Sequence, residues 1–422
     1  MIAAGTNKMK SLKIYTHMSK STKQEVAISY ITENYLNFDR LRRDIVSNKV
    51  QLRDERPTKD GSVSFWRNLT DADINDMVCA CVQESGVGVT TREMQTVLHS
   101  HNVPHVHPLR DYVINCPPYT PDQSDWIEWL ADQVTVEGDQ AFWRDCFKRW
   151  FVAMVASWME DDNVNQQVLV LLGPQGIFKT TWLDRLLPPQ LRDYGCKMAN
   201  ATTLNKDERL RIAEYGLIAL DEIDAMTPKE LNVMKSVITA ASVNERAAYA
   251  LTKENRPRLA SFCASGNKAE FLTDITGNRR WLPFKVVNIV NPFFSELPYE
   301  YIYAQAYWHY THGFQYWFDH DDIQTLETHN EDFRAQENEE QLIPVYLDHP
   351  VDTNVEWLLT AEVSSLLVLK GGIKRPMALS RLGMLMRKAG FEEKRTKKGR
   401  GWLVRIRPDA EVDDLRKRLA DA

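Results

Sequence analysis

The chain has 422 residues, and its 52 Lys and Arg stand against 58 Asp and Glu, which gives a formal net charge of -6. With 43% hydrophobic and 26% charged residues, the composition excludes wholesale disorder and a polycationic chain, so any nucleic-acid site must be a local patch. The chain has no apolar run of transmembrane length and only six scattered cysteines without a Cys-x-x-Cys pair, so we expect a cytoplasmic protein with reduced thiols and no membrane partner.

The first part of the chain predicts small elements ahead of the main domain. Residues 22–50 carry apolar side chains first at helical and then at alternating spacing, which predicts a helix and a short hairpin around Ser47-Asn48. Thr70, which is followed by aspartates, is well placed to cap a further helix. We therefore predict a polar α+β segment over 1–65 and a helical lead-in domain over 66–160.

From residue 167 the pattern changes to continuous apolar runs of strand length. Such runs are typical of strands that are buried on both faces of a parallel sheet. Because helical segments separate the runs, they predict an α/β core with a mostly parallel sheet, which we assign to 161–330. The four runs lie at 167–172, 215–222, 261–267 and 281–287.

The first of these runs ends in a segment that is nearly the phosphate loop G-x-x-x-x-G-K-[ST]. In such a loop, backbone N–H groups and the start of the next helix contact phosphate oxygens. Lys179 would reach the β- and γ-phosphates of ATP, and the Thr180 hydroxyl would ligate Mg²⁺. The departure from the pattern is Phe178, which stands where the second glycine is expected. The predicted ATP-binding residues are Gly173, Pro174, Gln175, Gly176, Ile177, Phe178, Lys179, Thr180 and Thr181.

Polar residues follow the second and third apolar runs. Asp221 would hold Mg²⁺ directly or through water, and Glu222 would act as general base on the attacking water. Asn267, after the third run, would position that water. On its own, an acidic strand end or a Gly-Asn turn is an ordinary solvated feature. The prediction depends on the order in which the loop, the acids and the asparagine follow one another.

A pair of arginines, Arg279 and Arg280, precedes the fourth run. A planar, permanently charged guanidinium stabilises charge on a transferring phosphoryl group, so we predict that one of them serves the nucleotide of a neighbouring subunit. The pattern leaves open which of the two has this role. A structural arginine at the rim of the core is the alternative.

A hairpin is predicted ahead of the third run. Two β-prone segments, AAYAL and RLASF, flank the polar tip 252–256, which contains Lys253 and Arg256. A basic tip that faces a ring channel would contact a phosphate backbone without reading its sequence, so both residues are predicted DNA contacts. The alternative is a solvated hairpin tip.

The C-terminal part begins with an acidic linker, predicted at 331–356, and continues as a basic domain at 357–422. Helix, helix and hairpin in that order predict a winged helix. Between Lys370 and Arg407 thirteen basic residues stand against two acids, which favours nucleic-acid binding over an ordinary solvated face. We expect the helix at 379–389 in or near a DNA groove. The predicted phosphate contacts on the wing are Lys394, Arg395, Lys397, Lys398 and Arg400.

Taken together, the segments GPQGIFKTT, LIALDE, SGN and TGNRRW resemble the virulence-associated protein E family, superfamily 3-like phosphate-loop helicases of phages, plasmids and integrative elements. The likeness is most specific at 167–287. It implies an AAA+ ATPase that forms a ring, with a hexamer as the expected homo-oligomer, and that moves along single-stranded DNA. It also implies for Lys179, Thr180, Asp221, Glu222 and Asn267 the roles given above.

The sequence therefore predicts an ATP- and Mg²⁺-dependent DNA helicase or translocase that serves replication of a mobile element. Two other functions use the same motifs. One is a nucleic-acid-sensing defence NTPase, in which DNA triggers hydrolysis without unwinding. The other is an initiator that uses ATP binding only to assemble on an origin.

Overall fold

The computed structural model describes residues 22–58, 61–198, 206–245, 253–273, 277–294, 296–335, 338–350, 355–373, 376–396 and 399–420. Within these ranges the protein has mixed α/β structure with several sheets. None of the helices in the described ranges combines the length and the apolar character that crossing a membrane requires.

The N-terminal unit is a four-stranded sheet with helices on one face. The predicted hairpin at Ser47-Asn48 is present, because β1 and β2 pair antiparallel and Asn48 adopts the left-handed conformation that the turn needs. Thr70 caps a helix in a reciprocal capping box with Asp73, as predicted. The sheet order is β3-β2-β1-β4. The elements are α1 (Lys23–Asn34), β1 (Leu41–Asp44), β2 (Lys49–Thr58), β3 (Gly61–Asn68), α2 (Asp71–Ser85), α3 (Thr91–Leu98) and β4 (His105–Val106).

The tryptophan-rich segment that follows belongs to the core of the central domain. Trp143, Trp150 and Trp158 of α6 are fully buried, and the helix packs across one face of the central sheet. Strand β5 pairs with that sheet, so the predicted lead-in domain contributes directly to it. The elements are α4 (Pro108–Ile114), α5 (Trp126–Ala131), β5 (Val134–Val136) and α6 (Gln140–Met159).

The central sheet has six strands in the order β5-β12-β6-β11-β8-β7, and the four predicted apolar runs form four of them. All neighbours pair in parallel except β5 with β12. Large hydrophobic clusters cover both faces, which explains why the strands read as continuous apolar runs. The elements are β6 (Val168–Leu172), α7 (Lys179–Asp184), β7 (Gly195–Met198), α8 (Lys206–Glu214), β8 (Leu217–Leu220), α9 (Pro228–Ile238), β9 (Ser242–Glu245), β10 (Glu254–Pro257), β11 (Ser261–Gly266) and β12 (Trp281–Ile289).

The C-terminal part supplies two helices to the central domain and then forms a cluster of its own. The predicted order of helix, helix and hairpin is present as α13, α14 and the antiparallel pair β15 and β16. The predicted acidic linker is instead largely structured, since α12 packs into the C-terminal core. The elements are α10 (Tyr299–Thr311), α11 (His320–Asn330), α12 (Asn338–Tyr346), β13 (Leu347–Asp348), β14 (Glu356–Leu359), α13 (Thr360–Gly371), α14 (Leu379–Lys388), β15 (Glu393–Thr396), β16 (Gly399–Ile406) and α15 (Asp409–Ala420).

Candidate active site

The segment 173–178 forms a tight loop between the end of β6 and the start of α7. Gly173 has φ +155°, and a Cβ atom there would lie 2.7 Å from the carbonyl oxygen of Val286. Gly176 has φ +88°. Gly173 therefore requires glycine because of the close approach of the Val286 carbonyl, whereas the positive φ at Gly176 favours glycine. The loop leaves its backbone open to a ligand at the start of a helix, where anions are favoured.

Phe178, the departure from the phosphate-loop pattern, adopts the left-handed backbone conformation that the expected glycine would adopt, with φ +67°. A residue with a Cβ atom pays about 1–2 kcal/mol for that conformation. The Phe178 side chain is half-buried and packs against the hydrophobic core beneath the loop. The loop therefore keeps its shape without the glycine, and the packing of the ring offsets part of the strain.

Lys179 is the first residue of α7 and folds back across the loop. Its Nζ donates to the carbonyl oxygens of Gly173 and Pro174, both at 2.7 Å, and the residue is only 7% exposed. Burial lowers the pKa of the Lys179 ammonium, while the Asp224 carboxylate acts in the opposite direction. The ammonium is thus held at the mouth of the loop by neutral carbonyls, which an anionic ligand can replace.

A cluster of oxygen atoms from three elements lies beside this lysine. The Thr180 hydroxyl is 3.4 Å from Asp221 Oδ1 and 3.0 Å from the hydroxyl of Ser265. Ser265 in turn donates to Asp221 Oδ1 at 3.1 Å. Hydroxyl and carboxylate oxygens are the ligands that Mg²⁺ prefers, so the chemistry of this donor set fits the predicted metal site.

Ser265 was not predicted from the sequence. It lies near the end of β11, which pairs with both β6 and β8, and this position brings it between the loop and the acids. The sequence feature that could have identified Ser265 is its position as a polar residue near the end of an apolar run. That signal was assigned instead to Asn267, two residues further on.

Asp224 is the second residue whose contacts at this site were not predicted from the sequence. Its two carboxylate oxygens accept the backbone N–H groups of Asn267 at 3.1 Å and of Lys268 at 3.2 Å. A Cβ atom at Gly266 would lie 2.6 Å from Asp224 Oδ1, so any larger residue there would displace this carboxylate. Asp224 therefore fixes the backbone that carries Asn267.

If the cavity hydrolyses ATP, as the sequence predicts, Asp224→Ala should lower turnover by up to about 100-fold without abolishing ATP binding, because the peptide that carries Asn267 would lose both of its acceptors and shift. Steady-state hydrolysis combined with an ATP-binding titration measures this. Asp224→Asn keeps one acceptor oxygen and should lose less. Unchanged turnover in Asp224→Ala would contradict the positioning role.

Six of the nine predicted ATP-binding residues line one cavity of about 600 Å³ together with Asp221, Glu222 and Asn267, whereas Gly173, Pro174 and Ile177 are not among its lining residues. Glu222 is exposed and adopts a left-handed backbone conformation, with φ +54°, immediately after Asp221. Asn267 is also exposed to the cavity. The lining residues are Gln175, Gly176, Phe178, Lys179, Thr180, Thr181, Asp221, Glu222, Ser265, Gly266 and Asn267.

The two predicted finger arginines lie away from this cavity. They directly precede β12, whose first residue, Trp281, pairs with Val168 at the start of β6, whereas the loop follows the end of β6. The length of β6 therefore separates them from the loop, roughly 13 Å at 3.3 Å per residue. Arg279 is exposed, while burial and then the charge of Arg279 lower the pKa of Arg280. Neither is within reach of the cavity of its own chain.

The hairpin differs from its predicted position, and Arg256 requires a correction. Strands β9 and β10 pair Glu245 with Glu254, so Arg256 lies inside a strand rather than at the tip. Its guanidinium donates to Glu214 Oε1 at 2.8 Å and to the carbonyl oxygen of Val46 in the N-terminal unit. It is thus a structural residue that joins three elements. The predicted arm RLASF belongs to the following loop and to β11, and the arm AAYAL lies outside the described residues.

Lys253 lies just before β10, at the tip side of this hairpin, and is exposed. This position agrees with the predicted one. The remainder of the tip lies outside the described residues.

The basic C-terminal segment has much of its charge balanced within the fold. In the hairpin of β15 and β16, Glu393 contacts both Arg400, at 2.7 Å, and Arg387 of α14, at 3.0 Å, so Arg400 is less available than predicted. Lys394 and Arg395 are exposed on β15, and the described residues include no ion pair of theirs. Lys397 and Lys398 lie outside the described residues. Other basic residues of the segment with acidic partners are Lys370, Lys388, Arg405 and Arg407.

Comparison with known proteins identifies a family and similar solved structures. The family model described as the virulence-associated protein E-like domain matches residues 117–335, just over half of the chain. The A-form apo structure of the NrS-1 C-terminal region covers 92% of this chain and 100% of its own, with 11% identity and a TM-score of 0.47. A second apo structure of that region has the same coverage, 12% identity and a TM-score of 0.45. None of the curated proteins matches.

Proposed function

We infer the function from one premise: the chain belongs to the virulence-associated protein E-like family. We propose that it is an ATP-dependent DNA translocase or helicase of the AAA+ kind, which acts in replication of a phage, plasmid or integrative element. Its place of action would be the cytoplasm. The C-terminal unit would serve as a winged-helix DNA-binding domain.

One observation carries the proposal. The ends of β6, β8 and β11 bring a buried lysine, a hydroxyl cluster and a carboxylate into one cavity beside a glycine-shaped loop. In open α/β sheets, ligands bind at the carboxyl ends of the strands. Because the cavity combines one ammonium, open backbone and oxygen ligands, a nucleoside triphosphate with Mg²⁺ is the ligand class that it fits best.

Binding would begin with an exchange of partners at the loop. The Lys179 ammonium would leave the carbonyl oxygens of Gly173 and Pro174 for phosphate oxygens. Thr180 and Asp221 would hold the metal, with Ser265 keeping their oxygens together. A magnesium ion held there neutralises charge on the phosphate oxygens.

Hydrolysis needs a group that takes a proton from the attacking water. Glu222 has an exposed carboxylate at the cavity wall and would accept that proton. Asn267, whose backbone is held by Asp224, would orient the water. Both residues come from strand ends next to the loop, so their relative positions are set by the sheet.

The proposal includes an oligomer because of the position of the two predicted finger arginines. They lie at the edge of the sheet where β6 begins, away from the cavity of their own chain. If either arginine stabilises a transferring phosphoryl group, as the sequence predicts, that nucleotide would be held by a second subunit. We propose a homo-oligomeric ring, for which a hexamer is the expected number.

DNA contact is proposed at two places. Lys253 would contact the backbone of a single strand in the channel of the ring, and Lys394 and Arg395 would contact duplex phosphates from the wing. Arg256 is not among the proposed contacts, because Glu214 and the Val46 carbonyl occupy its guanidinium.

The first test is steady-state ATP hydrolysis by the purified full chain with and without single-stranded DNA, followed by a strand-displacement assay. The proposal expects DNA to stimulate hydrolysis and expects strands to separate. Stimulation without displacement would indicate a nucleic-acid-sensing NTPase instead. Assembly on DNA that needs ATP without any hydrolysis would indicate an initiator.

We expect Lys253→Ala to reduce the ratio of hydrolysis rates with and without DNA by several-fold, because one phosphate contact would be lost at the hairpin tip. Strand displacement should fall at least as much. Lys23→Ala, an exposed lysine at the start of α1, is the matched control. If both variants retain full stimulation and displacement, the hairpin has no part in DNA contact.

A further inference from the structure

The turn that follows β12 exposes two large aromatic side chains. Phe293 is 74% exposed and Phe294 is 84% exposed. The turn itself is well held, because Asn291 Oδ1 accepts the backbone N–H of Phe293 at 3.0 Å and Pro292 between them is buried. The two rings are therefore presented by a built turn, although single exposed phenylalanines are otherwise unremarkable on a protein surface.

This turn lies beside the phosphate loop. Strand β12 runs parallel to β6, and its Val286 carbonyl approaches Gly173 so closely that no side chain would fit between them. Beyond that contact, the ring of Phe293 meets the ring of Phe178, with centroids 6.3 Å apart and planes at 80°. We call this pair the aromatic corner. Phe178 also lines the cavity, so the corner is continuous with it.

The two rings differ in how they are held. Phe178 is half-buried against the core, so its ring is fixed, whereas most of the surface of Phe293 is open. A planar group could stack on the open face of the Phe293 ring. Its edge would then lie against the ring of Phe178. Aromatic faces and edges attract in this arrangement. The corner thus offers a site for a flat, aromatic ligand group.

A nucleoside triphosphate has such a group at the right place in its own structure. With its phosphates against the loop, its base would lie one ribose away from them, and Phe178 extends the cavity lining toward Phe293. We propose that the aromatic corner is the nucleobase subsite, where the base of the bound nucleotide stacks on Phe293 with Phe178 at its edge. This inference rests on the proposed nucleotide binding and adds to it the residues that contact the base.

The proposal also has a consequence for selectivity. Every nucleobase has an aromatic face, so stacking on a phenylalanine tolerates any of the four bases. The aromatic corner supplies two rings without a hydrogen-bonding group. We therefore expect it to contribute affinity for ATP and for GTP alike, and the discrimination between them to be small.

The test separates the base from the phosphates by using two ligands. The full-length protein, Phe293→Ala and Phe294→Ala are titrated calorimetrically with a non-hydrolysable ATP analogue and with tripolyphosphate, both with Mg²⁺. Loss of one stacking ring in Phe293→Ala should lower the affinity for the ATP analogue about five- to a hundredfold. The affinity for tripolyphosphate should stay unchanged. Phe293→Trp keeps a stacking ring and should retain the affinity of the wild type. Both positions are exposed, so the variants should fold.

Phe294→Ala is the matched control, since it removes the same side chain from the same turn. The subsite is overturned if Phe293→Ala binds the ATP analogue as well as the wild type does. It is also overturned if Phe293→Ala weakens the binding of both ligands equally, which is the result expected if the ring contacts a second copy of the chain. The third contradicting result is a Phe294→Ala variant that loses as much affinity as Phe293→Ala. A wild type that binds neither ligand would refute the phosphate site, and with it the proposed function itself.

Discussion

Lys179→Ala should abolish ATP hydrolysis, with a loss of turnover on the order of a thousandfold or more. Lys179 carries the only ammonium among the residues that line the described cavity, and it is held within reach of any phosphate there. Removal of one preorganised hydrogen-bond donor from such a site lowers the turnover rate by about 100- to 1000-fold. Weaker nucleotide binding adds to that loss, because the same ammonium would contact phosphates before hydrolysis as well as during it.

The measurement is steady-state hydrolysis together with binding of the non-hydrolysable ATP analogue. Lys268→Ala is the control, since it removes an exposed lysine from the same edge of the sheet. Lys179 also donates to Gly173 and Pro174, so thermal unfolding should be compared to detect a loosened loop. Turnover within a few-fold of the wild type in a folded Lys179→Ala variant would remove the phosphate-loop assignment.

The parts of the fold that could be predicted from the sequence are those with a local cause. Buried parallel strands need continuous apolar residues, so the strands β6, β8, β11 and β12 were found within a few residues of their ends. Thr70 was predicted as a cap because a short polar side chain before a helix satisfies free N–H groups. Glycines with positive φ likewise mark the loop at 173 and 176.

Contacts between segments that are distant in the chain could not be predicted from local sequence patterns. Asp224 acts on Asn267 only because β8 and β11 are neighbours, and nothing within either segment indicates that pairing. Ser265 contacts Thr180 for the same reason. Both residues lie in segments that the sequence had already marked as functional, so what was missed is their role rather than their region.

Charges were the least predictable features. Arg256 is part of a polar sequence that reads as a solvated tip, yet its partners are Glu214 and a carbonyl of the N-terminal unit. Nucleic-acid binding by the C-terminal segment was predicted from an excess of basic residues counted along the chain. Part of that excess is balanced by Asp348 and Glu331, which lie outside the counted segment. Net charge along a sequence therefore overestimates the charge that a folded surface offers to DNA.

Glu222→Gln should separate nucleotide binding from hydrolysis. The substitution preserves the shape of the side chain but removes the carboxylate that would accept a proton from water. Such proton transfer typically contributes a factor of about 100 to 10000 to the rate. Glu222 is exposed, so glutamine should leave the fold intact. We therefore expect turnover to fall by at least about 100-fold, while the ATP analogue binds with unchanged affinity.

The comparison with Asp221→Asn makes this result specific. Asp221 accepts from Ser265 and lies beside Thr180, so its amide variant should weaken the Mg²⁺-dependent part of binding as well as turnover. A Glu222→Gln variant that hydrolyses ATP at the wild-type rate would contradict the general-base role. ATP-dependent assembly on DNA should survive in Glu222→Gln, while DNA-stimulated hydrolysis and strand displacement are lost. If displacement survives with assembly, unwinding does not depend on hydrolysis, and the motor function proposed for this chain is wrong.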